Sequence, residues 1–165
     1  MVITIRILTF TIAICTLSCG DSYMTQIHTS AADSVEIKQA VYQFIRSIDR
    51  MNVDSVVACY TYEAKVFYPF TFTPKLLIGK KEIGIAQNQG FKLMAKLFKQ
   101  QGIEQSTLGL KPNSLSIELL SENFALAIWH SPRGSSMGRR SALLKKVNNS
   151  WLIHYHHASN VVSTD

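Results

Sequence analysis

The apolar period of this chain changes once, after about residue 101, and that change restricts the fold more than any other feature. Upstream, Ile37, Val41, Phe44, Ile45, Ile48 and Met51 recur three and four residues apart, one stripe of an amphipathic helix. Ile83, Gln87, Phe91, Met94 and Phe98 repeat the spacing in a helix expected over 80–101, with Lys92, Lys96 and Lys99 as its basic outer row. Downstream the apolar residues alternate, and strands are expected over 105–110, 114–120, 124–131, 139–147 and 150–159. Helices followed by an antiparallel meander make an α+β layer, one sheet curling over the helices.

Local signals punctuate that plan. Asp33-Ser34-Val35-Glu36 reads as a helix N-terminus with an acid three residues on. Asn52 ends the first helix and caps a short second one over 53–60. Residues 63–68 alternate as a strand that Pro69 stops, and Gly79 precedes the third helix. Asn148-Asn149 reads as a two-residue hairpin turn, because asparagine tolerates the positive φ such turns require.

The first nineteen residues stand apart from the domain. After Arg6, residues 7–17 form an apolar run too short to span about 30 Å of hydrocarbon, so the segment reads as a secretory signal. Its end, Thr16-Leu17-Ser18-Cys19-Gly20, resembles a bacterial lipoprotein cleavage box. That resemblance implies export to the cell envelope, with Cys19 lipidated and the membrane touched only through that lipid. Residues 20–32 would be a polar spacer and 33–162 the domain. Cys15 would leave with the signal. Cys59 would then be the one cysteine inside the domain, a packing residue in an apolar stretch with no disulfide.

Charge narrows the chemistry. Between Asn123 and Thr164 there is no Asp or Glu, whereas Arg133, Arg139, Arg140, Lys145 and Lys146 stand beside His130, His154, His156 and His157. Any site lined by these strands is cationic or imidazole-rich. His154 and His156 are spaced to share a strand face, as metal ligands can. The neighbouring strands supply no carboxylate or cysteine to complete a set, so no metal or other cofactor is expected. The lysine row lacks the interleaved aromatics of a nucleic-acid surface, and none is expected to bind. Simple alternation places Trp151, Ile153, Tyr155, His157 and Ser159 on one face, and Leu152, His154, His156 and Ala158 on the other.

Three segments in register resemble the nuclear transport factor 2-like (NTF2-like) superfamily, in particular its SnoaL-like members. They are the helix–short helix–strand run 44–69, the stretch Leu77-Ile78-Gly79-Lys80-Lys81-Glu82-Ile83, and Gly138-Arg139-Arg140-Ser141 through Trp151-Leu152-Ile153 to His157-Ala158-Ser159. The resemblance covers about residues 34–160. It implies a cone: three N-terminal helices packed on a strongly curved, mostly antiparallel sheet around an apolar cavity, with homodimers formed through the sheet backs.

Ketosteroid isomerases of that superfamily use a carboxylate base, a tyrosine and a protonated aspartate. Tyr68-Pro69 stands at the position of the base, Phe44 at that of the tyrosine, and the late strands hold no acid, so all three roles are vacant. The face matching the family's ending is assigned to the concave wall. The expected ligand-binding residues are therefore Phe44, Tyr68, Phe91, Trp129, Arg140, Tyr155 and His157. The expected function is binding of a small anionic or carbonyl-bearing ligand. A dimerising interaction module with a vestigial cavity is one alternative. A hydrolase, dehydratase or cyclase using His157 with Tyr68 or Tyr155 is the other.

Overall fold

The apolar stripe of the first helix becomes the floor of the domain. In the computed structural model, which describes residues 31–104, 107–133 and 136–162, α1 (Ala31–Asp49) buries Ile37, Val41, Phe44 and Ile45. The expected signal, Cys19 and most of the spacer lie outside the described residues. The helix already includes Ala31 and Ala32 ahead of Asp33, whose carboxylate meets Lys146 Nζ at 2.7 Å. Asn52 then caps α2 (Val53–Ala58), its Oδ1 accepting from Ser55 N at 2.9 Å.

After α2 come β1 (Tyr60–Phe67), β2 (Leu77–Ile78), α3 (Gly79–Gln100), β3 (Asn113–Ser121), β4 (Phe124–Arg133), β5 (Ser136–Val147) and β6 (Ser150–Val162). The sheet runs β2-β1-β6-β5-β4-β3. Every pairing is antiparallel except β1 with β6. Gly79 opens α3 at φ 79°, and a Cβ there would also lie 3.4 Å from the carbonyl oxygen of Tyr62. Asn148 and Asn149 adopt φ 48° and 61° at the β5–β6 turn, the positive values that a two-residue hairpin needs. Cys59 is a free, buried cysteine whose Sγ donates to Ser55 O at 3.2 Å, and burial raises its pKa.

One expected strand is absent and one short strand is additional. Residues 107–110 form no strand: Leu108 N donates to Asp49 O (2.9 Å) and Leu110 N to Asp49 Oδ1 (2.8 Å). The amides a neighbouring strand would need are spent on the end of α1, and Gly109 turns the chain at φ 66°. The two-residue strand β2, paired with Lys65 and Val66, is too short to show alternation.

The consequential difference lies in β6. Leu144 pairs with Ile153 but Leu143 pairs with Tyr155, so β6 carries one extra residue there. A bulge of this kind reverses which side chains face inward beyond it. Trp151 and Ile153 are buried before it; His156 and Ala158 are buried after it, and His157 is exposed. The inner surface is completed by Ala125, Ala127 and Trp129 of β4 and by Ala142 and Leu144 of β5. Small residues on these strands leave a hollow over α1 and α3.

Candidate functional site

A cavity of about 290 Å³ lies between the inner face of β4–β6 and helices α1 and α3. Helical period brings Phe44 and Ile48 to it from α1, and Gln87, Phe91 and Met94 from α3. Tyr68, just past β1, and Trp129 of β4 add aromatic walls, while Arg140, His156 and Asn160 supply the polar side of β5 and β6. Among the described residues that line it there is no Asp or Glu; Glu63 and Glu118 are both exposed.

His156 is 3% exposed and stacks against Trp129, with ring centroids 6.0 Å apart and planes 7° from parallel. Phe44 meets it edge-on at 5.1 Å. Its Nδ1 lies 3.0 Å from Tyr60 Oη, which lies 3.2 Å from Tyr68 Oη. Desolvation, reinforced by the charges of Arg140 and His157, lowers the imidazole pKa from 6.5 to about 3. Burial likewise raises the pKa of both phenols, so all three rings are neutral near pH 7.

A neutral imidazole carries one proton, and the chain has two self-consistent arrangements. In one, Tyr68 donates to Tyr60, Tyr60 donates to Nδ1, and Nε2 holds the ring proton. In the other, Nδ1–H donates to Tyr60, Tyr60 donates to Tyr68, and Nε2 is an acceptor. Nε2 has no partner among the described residues, and neither does Oε1 of Gln87, which is 2% exposed. Buried polar atoms without partners cost about 1–3 kcal/mol each, and both belong to residues that line the cavity.

Arg140 faces Trp129 across the β4–β5 ladder. Its Nη1 donates to Ser159 O (2.6 Å) and Arg139 O (2.9 Å), and Nη2 donates to Asn160 Oδ1 (3.1 Å). All three acceptors are neutral, and no carboxylate among the described residues pairs with the guanidinium. Desolvation lowers its pKa, though a guanidinium stays protonated. The group lies over Gly138, where an added Cβ would come within 2.8 Å of Nη2.

Of the residues expected from the sequence, Phe44, Tyr68, Phe91, Trp129 and Arg140 surround the cavity. Tyr155 and His157 do not. The bulge turns them to the outer face, Tyr155 opposite Leu143 and His157 opposite Ser141 with its ring 6.2 Å from Phe67. The histidine on the concave wall is His156. The bulge also separates His154 from His156: His154 Nδ1 bonds Thr61 Oγ1 at 3.1 Å and lies near Glu63 and Phe124. No group of three or more His, Cys, Asp or Glu among the described residues is placed to hold a metal ion. Gln87 was readable only as a buried helix position; its open carbonyl is a tertiary fact.

No family model matches the chain. No curated protein matches it either. Solved structures do match. An NTF2-like protein of unknown function from Pseudomonas putida KT2440 superposes with a TM-score of 0.63 at 15% identity, over 79% of this chain and 87% of that one. A domain of unknown function with a cystatin-like fold from Nostoc punctiforme PCC 73102 gives 0.62 at 17% identity, over 82% of each chain. A ketosteroid isomerase-like protein from Erwinia carotovora atroseptica SCRI1043 gives 0.59 at 15%, over 81% of this chain and all of that one. At these identities the likeness establishes the fold.

Proposed function

We propose that this NTF2-like domain binds a small anionic or carbonyl-bearing molecule in the cavity between β4–β6 and the two long helices. The observation that supports the reading is Arg140: a desolvated cation held only by neutral acceptors, in a cavity whose described lining has no acid. Three of its five N–H donors are engaged, which leaves two for a guest. A carboxylate supplies the missing counter-charge, and charge-assisted bonds of this kind are about twice as strong as neutral ones. The aromatic walls take the apolar part of the guest. The volume sits at the lower edge of the roughly 300–1,000 Å³ typical of small-molecule sites.

The test is calorimetric titration with a panel of small aromatic and aliphatic carboxylates, each matched to its neutral alcohol or amide. Carboxylates are expected to bind and Arg140→Leu to weaken them by at least about tenfold. A variant that binds carboxylates as well as the parent protein, or a panel in which only the neutral members bind, rejects the reading. The ketosteroid isomerase route is not proposed, since Phe44 and Tyr68 face the cavity where that mechanism needs a tyrosine and a carboxylate.

We propose a homodimer through the outer sheet face, where Ile128, Met137 and Val161 are 44%, 39% and 37% exposed. Ile128→Glu is then expected to shift the mass measured by light scattering from dimer to monomer, and a parent protein that is already monomeric defeats the idea. Export and lipidation at Cys19 remain part of the proposal. Cys19→Ala is expected to move the protein from the membrane to the soluble fraction, and unchanged membrane association counts against acylation.

A further inference from the structure

We infer that the cavity is a proton-transfer site for small 2-oxo acids, enolising the guest through the Tyr68–Tyr60–His156 chain without creating an ion. The inference rests on the anion-binding reading, because Arg140 holds the carboxylate of the guest. It adds an activity that binding alone does not require.

Burial forbids the usual route. An ordinary histidine base becomes an imidazolium, and His156, enclosed by Trp129, Phe44, Tyr60 and Tyr68 with Arg140 close by, resists that charge. The same burial preserves a different route. Nδ1 is already bonded to Tyr60 and Tyr60 to Tyr68, so a proton arriving at Nε2 is compensated by one leaving along the chain. Tyr68 and His156 both line the cavity, with ring centroids 6.1 Å apart at 84°, whereas Tyr60 is fully buried behind them. A guest in the cavity therefore borders both end residues of a relay whose middle it never touches, and a small turn of the imidazole brings its enclosed Nε2 to the guest.

At the start His156 holds its proton on Nδ1 and Tyr68 donates to the guest's keto oxygen. The C3–H bond breaks and its proton joins Nε2, while the electron pair left on C3 becomes the C2=C3 double bond. The carbonyl π pair moves onto oxygen, which takes the Tyr68 proton. Tyr68 takes the proton of Tyr60, and Tyr60 takes the one on Nδ1. The guest leaves as its enol, and His156 is left as the Nε2–H tautomer with no net charge gained. The reverse step returns a proton to C3 and resets the chain, so no co-reactant is consumed.

Phenylpyruvate is the probe: its carboxylate suits Arg140, and its ring suits the Phe44, Phe91 and Trp129 walls. The measurement is loss of its C3 protons by NMR in deuterated, phosphate-free buffer, together with its Kd by calorimetry. Exchange on the intact protein is expected to exceed the buffer rate by roughly a hundredfold, the scale of general acid–base assistance. Tyr60→Phe is expected to keep the Kd and to lose the acceleration, because Tyr60 does not line the cavity. Tyr68→Phe is expected to lose the acceleration too, and to weaken the Kd because its hydroxyl meets the guest's keto oxygen; its rate on fully bound guest decides the matter if Tyr60→Phe fails to fold. Phenylpyruvate that binds while exchanging at the buffer rate overturns the relay and leaves the binding reading standing. So does a folded Tyr60→Phe protein that exchanges as fast as the parent. If no carboxylate of the panel binds, both readings fall.

Discussion

Lowering the pH from 6.5 to about 3 is expected to remove up to about 5 kcal/mol of folding stability through His156 alone. Above pH 6.5 the imidazole is neutral in both the folded and unfolded chain and contributes no pH dependence. Below it the unfolded chain takes up a proton that the folded one refuses, because the ring is fully enclosed and lies in the field of Arg140 and His157. Stability therefore falls by about 1.4 kcal/mol per pH unit until the folded ring itself titrates near pH 3. For a domain with a total stability of about 5–15 kcal/mol, that loss alone is a large share. His156→Gln keeps an acceptor for the Tyr60 hydroxyl but has no proton to gain. Urea midpoints taken between pH 6.5 and 4.5, above the range where most carboxylates protonate, should show a slope shallower by about one proton in the variant. Equal slopes would mean that His156 is solvated in the folded protein.

This prediction concerns a residue that the sequence placed on the wrong face, and the reason is physical. Phe44, Phe91 and Trp129 reach the cavity because each sits on an element whose facing is set by its own local period. The caps and turns were legible for a similar reason: Asn52 and Asn148-Asn149 act on their immediate neighbours. The β6 bulge has no such local mark. It exists because β5 and β6 fall out of step between Leu143 and Leu144, a relation between residues distant along the chain. One extra residue was enough to exchange His157 and Tyr155 for His156 and Ala158 on the concave wall. The 107–110 segment shows the same limit, since its alternation was readable but its capture by Asp49 was not. The Tyr60–Tyr68–His156 chain lies further still from the sequence, as it joins residues 8 and 96 positions apart.

Gly138→Val is expected to weaken carboxylate binding about as much as Arg140→Leu, roughly tenfold to a hundredfold, while leaving the fold nearly intact. Gly138 faces inward on β5, and its missing side chain is the floor on which the Arg140 guanidinium rests. A Cβ there would lie 2.8–3.0 Å from Nη2, Cζ and Nη1, closer than real contacts allow. The crowded atoms belong to the far end of a flexible side chain, so the arginine swings away and the backbone stays. In swinging it gives up Ser159 O and Asn160 Oδ1, the acceptors that aim it. β-branched residues suit strands, so the thermal midpoint should change little. Arg140 is still present in this variant, which separates position from charge: a lost affinity with an unchanged melting temperature means that the cation must be held over Gly138 to work. Carboxylate affinity equal to that of the parent protein would show that the guanidinium can serve the guest from elsewhere, and Gly138 would then be only a strand residue.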